Sequence, residues 1–238
     1  MVLYKDGNVH IKITYWGMAS SGKTTILETL YKLTKENEKD IVPVGDLQKI
    51  SKASGATLYF DRGIFQSTNQ KKIFYRIFTV AGQASFSPLR AKIFEGTDAV
   101  IFVVDSQTKH LEDNVESLME LKKVANNDLI TKIPFIVMLN KQDLKDVVTD
   151  EDFRIILQQE KLWYDANEEL SIWNPIIYKT CALYEKEKDI YRSFYEAARR
   201  TALYHIYGDG RAPIEREIAD ISIFENLIDT KKPLEKIE

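Results

Sequence analysis

Apolar and polar positions change period repeatedly along the chain, and each change marks an element. Residues His10 to Trp16 alternate, with Ile11, Ile13 and Tyr15 on one face, which predicts a β-strand. From about Lys23 to Thr34 the apolar spacing becomes helical. Leu58 to Thr68 and Ile73 to Val80 read as two strands joined by the polar turn Asn69-Gln70-Lys71-Lys72, so they predict an antiparallel hairpin. Ala99 to Val104 and Ile133 to Leu139 are apolar on both faces, the pattern of central strands covered by helices on each side. Between them Val115, Leu118 and Met119 fall on one helical face, placing a helix from about Glu112 to Ala125. Ile176 to Lys179 supplies a last short strand. Ile190, Phe194, Ala197, Ala198, Thr201, Ala202 and His205 then recur at the spacing of a long final helix. Strands alternating with helices define an α/β fold with a mostly parallel central sheet and helices on both faces.

Gly208-Asp209-Gly210 stops that helix. Beyond it Ile214, Ile218, Ile221, Phe224 and Ile228 return to a helical period, so the expected organisation is a domain over residues 1–207 and an amphipathic helical extension over 208–238. Charge sharpens the division. The whole chain of 238 residues carries 33 Lys plus Arg against 36 Asp plus Glu, a net charge of −3. Residues 208–238 hold 5 basic and 8 acidic side chains, whereas residues 1–207 hold 28 of each, so the body is neutral and the extension acidic. A composition of 44% hydrophobic and 29% charged residues excludes a disordered or fibrous chain. The absence of a basic surplus gives no reason to expect a nucleic-acid partner.

The single cysteine, Cys181, excludes a disulfide framework and a cysteine-built zinc site and suits a reducing, cytoplasmic setting. Neither Ala99 to Val104 nor Phe135 to Leu139 approaches the ~20 apolar residues of a membrane span. The chain has no glycine at position 2 and no prenylatable C-terminal cysteine, so no lipid anchor is expected. His10, His110 and His205 lie in unrelated segments and read as surface or packed residues, not metal ligands. Trp163 and Trp173 flank an insertion, residues 161–175, that either covers the core or binds something.

Chemistry concentrates in three short stretches. Gly17-Met18-Ala19-Ser20-Ser21-Gly22-Lys23-Thr24 fits the phosphate-loop pattern, directly after a predicted strand and before a helix. Its glycines let the backbone curl so that successive N–H groups point at phosphate oxygens, the helix start adds a positive dipole end, and Lys23 bridges the β- and γ-phosphates. Ala19, Ser20, Ser21, Gly22 and Thr25 complete the cradle, and the Thr24 hydroxyl is a Mg²⁺ ligand. Asn140-Lys141-Gln142-Asp143 follows the apolar strand ending at Leu139. The Asp143 carboxylate can accept from both N1–H and the exocyclic amine of guanine, a pairing adenine cannot offer. Thr79-Val80-Ala81-Gly82-Gln83 ends the hairpin strand; the Gly82 N–H can approach a γ-phosphate unobstructed, and Gln83 can orient a water for in-line attack.

Together these stretches resemble the Ras-like small GTPases over roughly residues 10 to 205, most strongly the prokaryotic MglA family and more weakly the Arf and Sar branch. The resemblance also rests on Thr57-Leu58-Tyr59-Phe60-Asp61 and on Val104-Asp105-Ser106-Gln107. It implies a P-loop NTPase fold of the Ras-like G-domain type, with one antiparallel hairpin strand in the central sheet. It also implies GTP as substrate, GDP as product and Mg²⁺ as cofactor. Thr79 stands where most Ras-like proteins have aspartate, as in the MglA family. Thr57 takes the place of the switch threonine that closes over Mg²⁺ and the γ-phosphate. Thr180-Cys181-Ala182 matches the base-flanking loop, so Cys181 and Ala182 contact guanine through backbone N–H groups.

Lys23, Thr57 and Gln83 are thereby the expected catalytic residues. The resemblance further implies a monomeric switch, a Roadblock-type activating protein and an effector. Many MglA-like proteins carry an arginine just before the switch threonine, and Ala56 stands there instead. Intrinsic hydrolysis is therefore expected to be slow, with the missing cation supplied by a partner or by Arg62. A constitutive GTP-binding scaffold with negligible hydrolysis is the alternative. A P-loop kinase lacks an arginine-rich lid here and would not need the guanine tetrad.

Overall fold

The computed structural model describes residues 2–36, 39–50, 60–82 and 87–214. Its elements run β1 (Leu3–Lys5), β2 (Asn8–Trp16), α1 (Lys23–Glu36), β3 (Ile41–Pro43), β4 (Gln48–Ile50), β5 (Phe60–Ser67), β6 (Ile73–Thr79) and α2 (Ser87–Phe94). They continue β7 (Ala99–Asp105), α3 (Leu111–Val124), β8 (Phe135–Asn140), α4 (Asp150–Gln159), β9 (Ile177–Lys179) and α5 (Ile190–Tyr207). The sheet order is β3-β5-β6-β2-β7-β8-β9. Strands β6, β2, β7, β8 and β9 are mutually parallel, and β5 joins β6 as an antiparallel hairpin. Short edge strands β1, β3 and β4 pair antiparallel with β2 or β5. These three-residue strands, together with α2 and α4, lie outside the elements that the apolar pattern predicts. Three residues are too few for a period of two to stand out, whereas α4 carries a signal in its Thr149/Asp152 capping box.

Strand β7 shows why the central strands lack alternation. Val100, Phe102 and Val104 pack toward Phe135, Leu118, Phe153 and Leu157 on one side. Ile101 and Val103 pack toward Ile13, Ile26, Leu30 and Phe194 on the other. All seven residues of β7 are buried, so each face must be apolar. The carboxyl ends of β2, β7 and β8 open at one edge of the sheet, and the chemical motifs follow those ends directly.

At the opposite edge the insertion before β9 covers the core. Tyr164 N–H donates to Asn174 Oδ1 at 2.7 Å and Asn174 Nδ2 returns to the Tyr164 carbonyl at 2.8 Å, closing the excursion. Trp173 is buried edge-on to Tyr204 with ring centroids 4.9 Å apart, and Arg200 Nη1 donates to the Trp173 carbonyl at 2.9 Å. The chain after α5 crosses this base as a strap. Ala212 N–H donates to the Thr131 carbonyl at 2.8 Å, and Trp173 Nε1 donates to the Pro213 carbonyl at 2.8 Å. The expected amphipathic helix beyond residue 214 lies outside the described residues.

Removing residues 208–238 is expected to lower the melting temperature, because the buried indole N–H loses its acceptor and its cover, a cost of about 1–3 kcal/mol. Removing only 215–238 leaves the strap in place and the melting temperature near that of the full chain. Thermal unfolding of the two truncated proteins, with GDP affinity unchanged in both, is the check.

Candidate nucleotide site

Strand β2 delivers the chain into the loop 17–22, and α1 begins at Lys23. The loop is tight enough that Gly22, at φ +101°, would place a Cβ 2.3 Å from Asn140 Nδ2, so only glycine fits. Ser20 adopts φ +61° without being glycine, a left-handed conformation that costs about 1–2 kcal/mol and concentrates at functional loops. Lys23 is buried and folds back over the loop. Its Nζ donates to the Gly17 carbonyl at 2.9 Å, the Met18 carbonyl at 2.6 Å and Ser21 Oγ at 3.3 Å. Burial, reinforced by the nearby Arg90 charge, pulls its pKa down to about 7. The ammonium is thus held ready with too little compensating negative charge, which is what an incoming phosphate supplies.

Beside it the exposed Thr24 hydroxyl donates to Asp61 Oδ2 at 2.5 Å. Asp61 is itself buried and held by Thr79. Its N–H donates to Thr79 Oγ1 at 3.0 Å, and the Thr79 hydroxyl donates back to Oδ2 at 3.3 Å. Asp61 therefore brings a carboxylate to the Thr24 hydroxyl in a protein whose hairpin strand ends in threonine, not aspartate. The sequence alone assigns Asp61 no role of its own; its partner Thr24 is 37 residues away, and the β5–β6 and β2–β6 pairings together bring them side by side. A hydroxyl and a carboxylate side by side form a hard-oxygen donor set that suits Mg²⁺.

The side expected to take the base is built from β8 and the loop after β9. Asn140 is buried, and its Nδ2 donates to the Ser21 carbonyl at 2.8 Å, tying the tetrad to the phosphate loop. Lys141, at φ +67°, reaches Asp105 Oδ2 at 2.6 Å. Burial alone would raise the Asp105 pKa, but hydrogen bonds from Lys141 and Gln107 hold it below the usual carboxylate value. Asn114 of α3 grips the same strand end, accepting from Asp105 N–H at 3.0 Å and donating to its carbonyl at 2.9 Å; no sequence signal marked it. Asp143 is exposed, with Cys181 Sγ 3.5 Å from its Oδ1. Burial and the adjacent Asp143 push the Cys181 thiol up, so it is a packed thiol and not a thiolate. The Ala182 carbonyl is anchored by the Thr29 hydroxyl at 2.5 Å, placing residues 180–182 over α1.

On the switch side, a Cβ on Gly82 would lie 2.1 Å from Ala19 N and 2.2 Å from the Met18 carbonyl carbon, so its backbone rests on the phosphate loop. Thr57, Gln83 and Ala56 lie outside the described residues. Arg62 is described, and it faces away. Strand alternation sends Asp61 toward Thr24 and Arg62 to the opposite side, 5.8 Å from the Phe78 ring centroid. Arg76 at 5.7 Å and Lys12 Nζ at 4.9 Å share that ring. Among the described residues no three or more histidine, cysteine, aspartate or glutamate side chains come together as a metal site of their own, and no helix is long and apolar enough to cross a membrane.

A phosphate-loop motif, an Asn-Lys-Gln-Asp tetrad and a glycine-ended hairpin strand at the carboxyl edge of one sheet are the features of a small GTPase. The chain belongs to the ADP-ribosylation factor family, which matches residues 2–193. It is 33% identical over 170 residues to the mutual gliding-motility protein MglA of Myxococcus xanthus, covering 67% of this chain and 81% of that protein. It is 30% identical over 141 residues to ADP-ribosylation factor-like protein 3 of Chlamydomonas reinhardtii, covering 59% of this chain and 66% of that one. The fold is similar to the Arl6 BBS3 small GTPase of Trypanosoma brucei with bound GppNp, at TM-score 0.54 and 20% identity, covering 81% of this chain and 98% of that one. The protein is accordingly an enzyme of the GTP-hydrolysing class that binds GTP and GDP.

Proposed function

We propose that the protein is a two-state switch timed by its own GTP hydrolysis, organised as a GTPase domain over 1–207 and an extension over 208–238. The observation that carries this reading is the double use of one loop. Asn140 holds Ser21 from the base side, while Gly82 rests on Met18 and Ala19 from the switch side. A phosphate seated in that loop therefore meets both.

In this reading Gly17, Ala19, Ser20, Ser21, Gly22, Thr24 and Thr25 wrap the phosphates, and Lys23 exchanges its loop carbonyls for β- and γ-oxygens. Asn140, Lys141 and Asp143, with the backbone of Cys181 and Ala182, hold guanine. Thr24 and Thr57 are the Mg²⁺ ligands, with Asp61 supplying the carboxylate next to Thr24. When bound, the ion neutralises charge on the β- and γ-phosphate oxygens. Thr57 and the Gly82 N–H are held by the γ-phosphate and released when it leaves, and Gln83 orients the attacking water.

Hydrolysis alone is slow, because Ala56 replaces an arginine and Arg62 faces the other side of the sheet. A cation brought by an activating partner of the Roadblock type is worth about 10³–10⁵ in rate. An effector reads the ordered state. The protein acts as a cytoplasmic monomer, without nucleic acid.

Hydrogen exchange of the GDP and GppNp forms is expected to differ across residues 51–91 and to agree elsewhere. Single-turnover hydrolysis is expected below about 10⁻² s⁻¹ and unchanged by Arg62→Ala. Identical exchange profiles with no measurable turnover would replace the switch with a constitutive GTP-binding scaffold.

A further inference from the structure

Arg90 of α2 is an unusual residue for a short helix beside a loop. Its side chain is only 5% exposed, although a guanidinium is among the groups least often buried. Among the described residues, three partners surround it. Nη1 donates to the Gly82 carbonyl at 3.3 Å, Nη2 pairs with the Glu120 carboxylate of α3, and the guanidinium carbon lies 5.4 Å from the Trp16 ring centroid. Trp16 is itself fixed, because its Nε1 donates to the Ser117 carbonyl at 3.1 Å and its ring meets Phe94 edge-on at 5.7 Å. Helix α3 thus supplies both the carboxylate that orients Arg90 and the carbonyl that orients the ring beneath it. Only Nε remains without a hydrogen-bond partner, so the guanidinium is not spent on packing alone.

The carbonyl it holds belongs to the residue that matters most to the switch. Gly82 has no spare room against Met18 and Ala19, so a small rotation of its backbone moves its N–H relative to the phosphate loop. We propose that Arg90, clamped by Glu120, is a positioning residue that sets the Gly82 backbone for the γ-phosphate and thereby links α3 to nucleotide sensing. The inference rests on the switch reading above and adds a residue and a route to it. GDP makes no demand on Gly82, so the consequence is selective: losing Arg90 weakens GTP binding and spares GDP.

The test uses the full chain with Mg²⁺ and compares affinities for fluorescent GDP and a fluorescent GppNp analogue. Arg90→Ala is expected to lower the ratio of GppNp to GDP affinity by about tenfold, the value of a charged hydrogen bond, with GDP affinity within about twofold of wild type. Arg90→Lys can satisfy Gly82 or Glu120 but not both, so it recovers only part of the ratio. Glu120→Gln leaves Arg90 and its packing in place while removing the clamping charge. It is expected to shift the ratio by about threefold, a smaller change in the same direction. Equal losses for both nucleotides, or an unchanged ratio in Arg90→Ala, would reduce Arg90 to packing. Should Arg90→Ala not fold, an unchanged ratio in Glu120→Gln overturns the proposal alone. Wild-type protein that binds GDP and GppNp without any exchange difference across 51–91 would refute the switch and not the role of Arg90.

Discussion

Asp143→Asn is expected to lower GTP affinity by on the order of 10²-fold or more and to raise affinity for xanthosine triphosphate. Guanine offers two donors on its N1 and exocyclic-amine edge, and a carboxylate accepts both. Asparagine keeps one acceptor and turns an N–H₂ toward the second donor, leaving two donors opposed. Xanthine carries a carbonyl where guanine has the amine, so the new N–H₂ finds an acceptor. The substitution should cost the fold little, because Asp143 is exposed and meets the Cys181 thiol only at 3.5 Å. Competition binding of the two triphosphates checks the exchange. Unchanged GTP affinity would remove Asp143 from the base site.

Lys23→Met is expected to weaken GDP and GTP binding together, by roughly 2–5 kcal/mol, the cost of truncating one side of a buried charge pair. Methionine fills the volume of the lysine stem, so the loss isolates the ammonium. The Gly17 and Met18 carbonyls lose their donor as well, while the buried ammonium that burial disfavours is gone, so the loss of affinity is the readout. Titration calorimetry with each nucleotide separates this outcome from that of Arg90→Ala. Removal of Lys23 acts on both nucleotides, whereas removal of Arg90 acts on one. A Lys23→Met protein that binds GDP normally would show that the loop backbone alone holds the phosphates.

The parts of the site that could be read in the sequence are those whose function lies within one turn of chain. The phosphate loop and the tetrad are contiguous because backbone N–H groups and one strand end do their work. Asp61, Asn114 and Arg90 were invisible for the opposite reason. Their partners are Thr24, Asp105 and Gly82, and it is strand register and helix packing that bring them together. Arg62 is instructive because its signal was present. Neighbouring residues of a strand face opposite ways, so a chain that aims Asp61 at the phosphate loop cannot aim Arg62 there too. The fold shows the same division. Long apolar runs such as β7 declared themselves, while β3 and β4 are too short to carry a period. The tryptophans around the insertion left two readings open until the Trp173 contact with Pro213 gave the segment a covering role.

The contact between Gly82 and the phosphate loop has a mechanical meaning as well. With backbone against backbone there is no compressible side chain between the switch and the cradle, so displacement of one is transmitted to the other without slack. A partner that pulls α2 outward therefore prises at the same loop that grips the phosphates. In the switch proposed above, leverage on the helix becomes leverage on nucleotide release, and the lever arm is a single glycine.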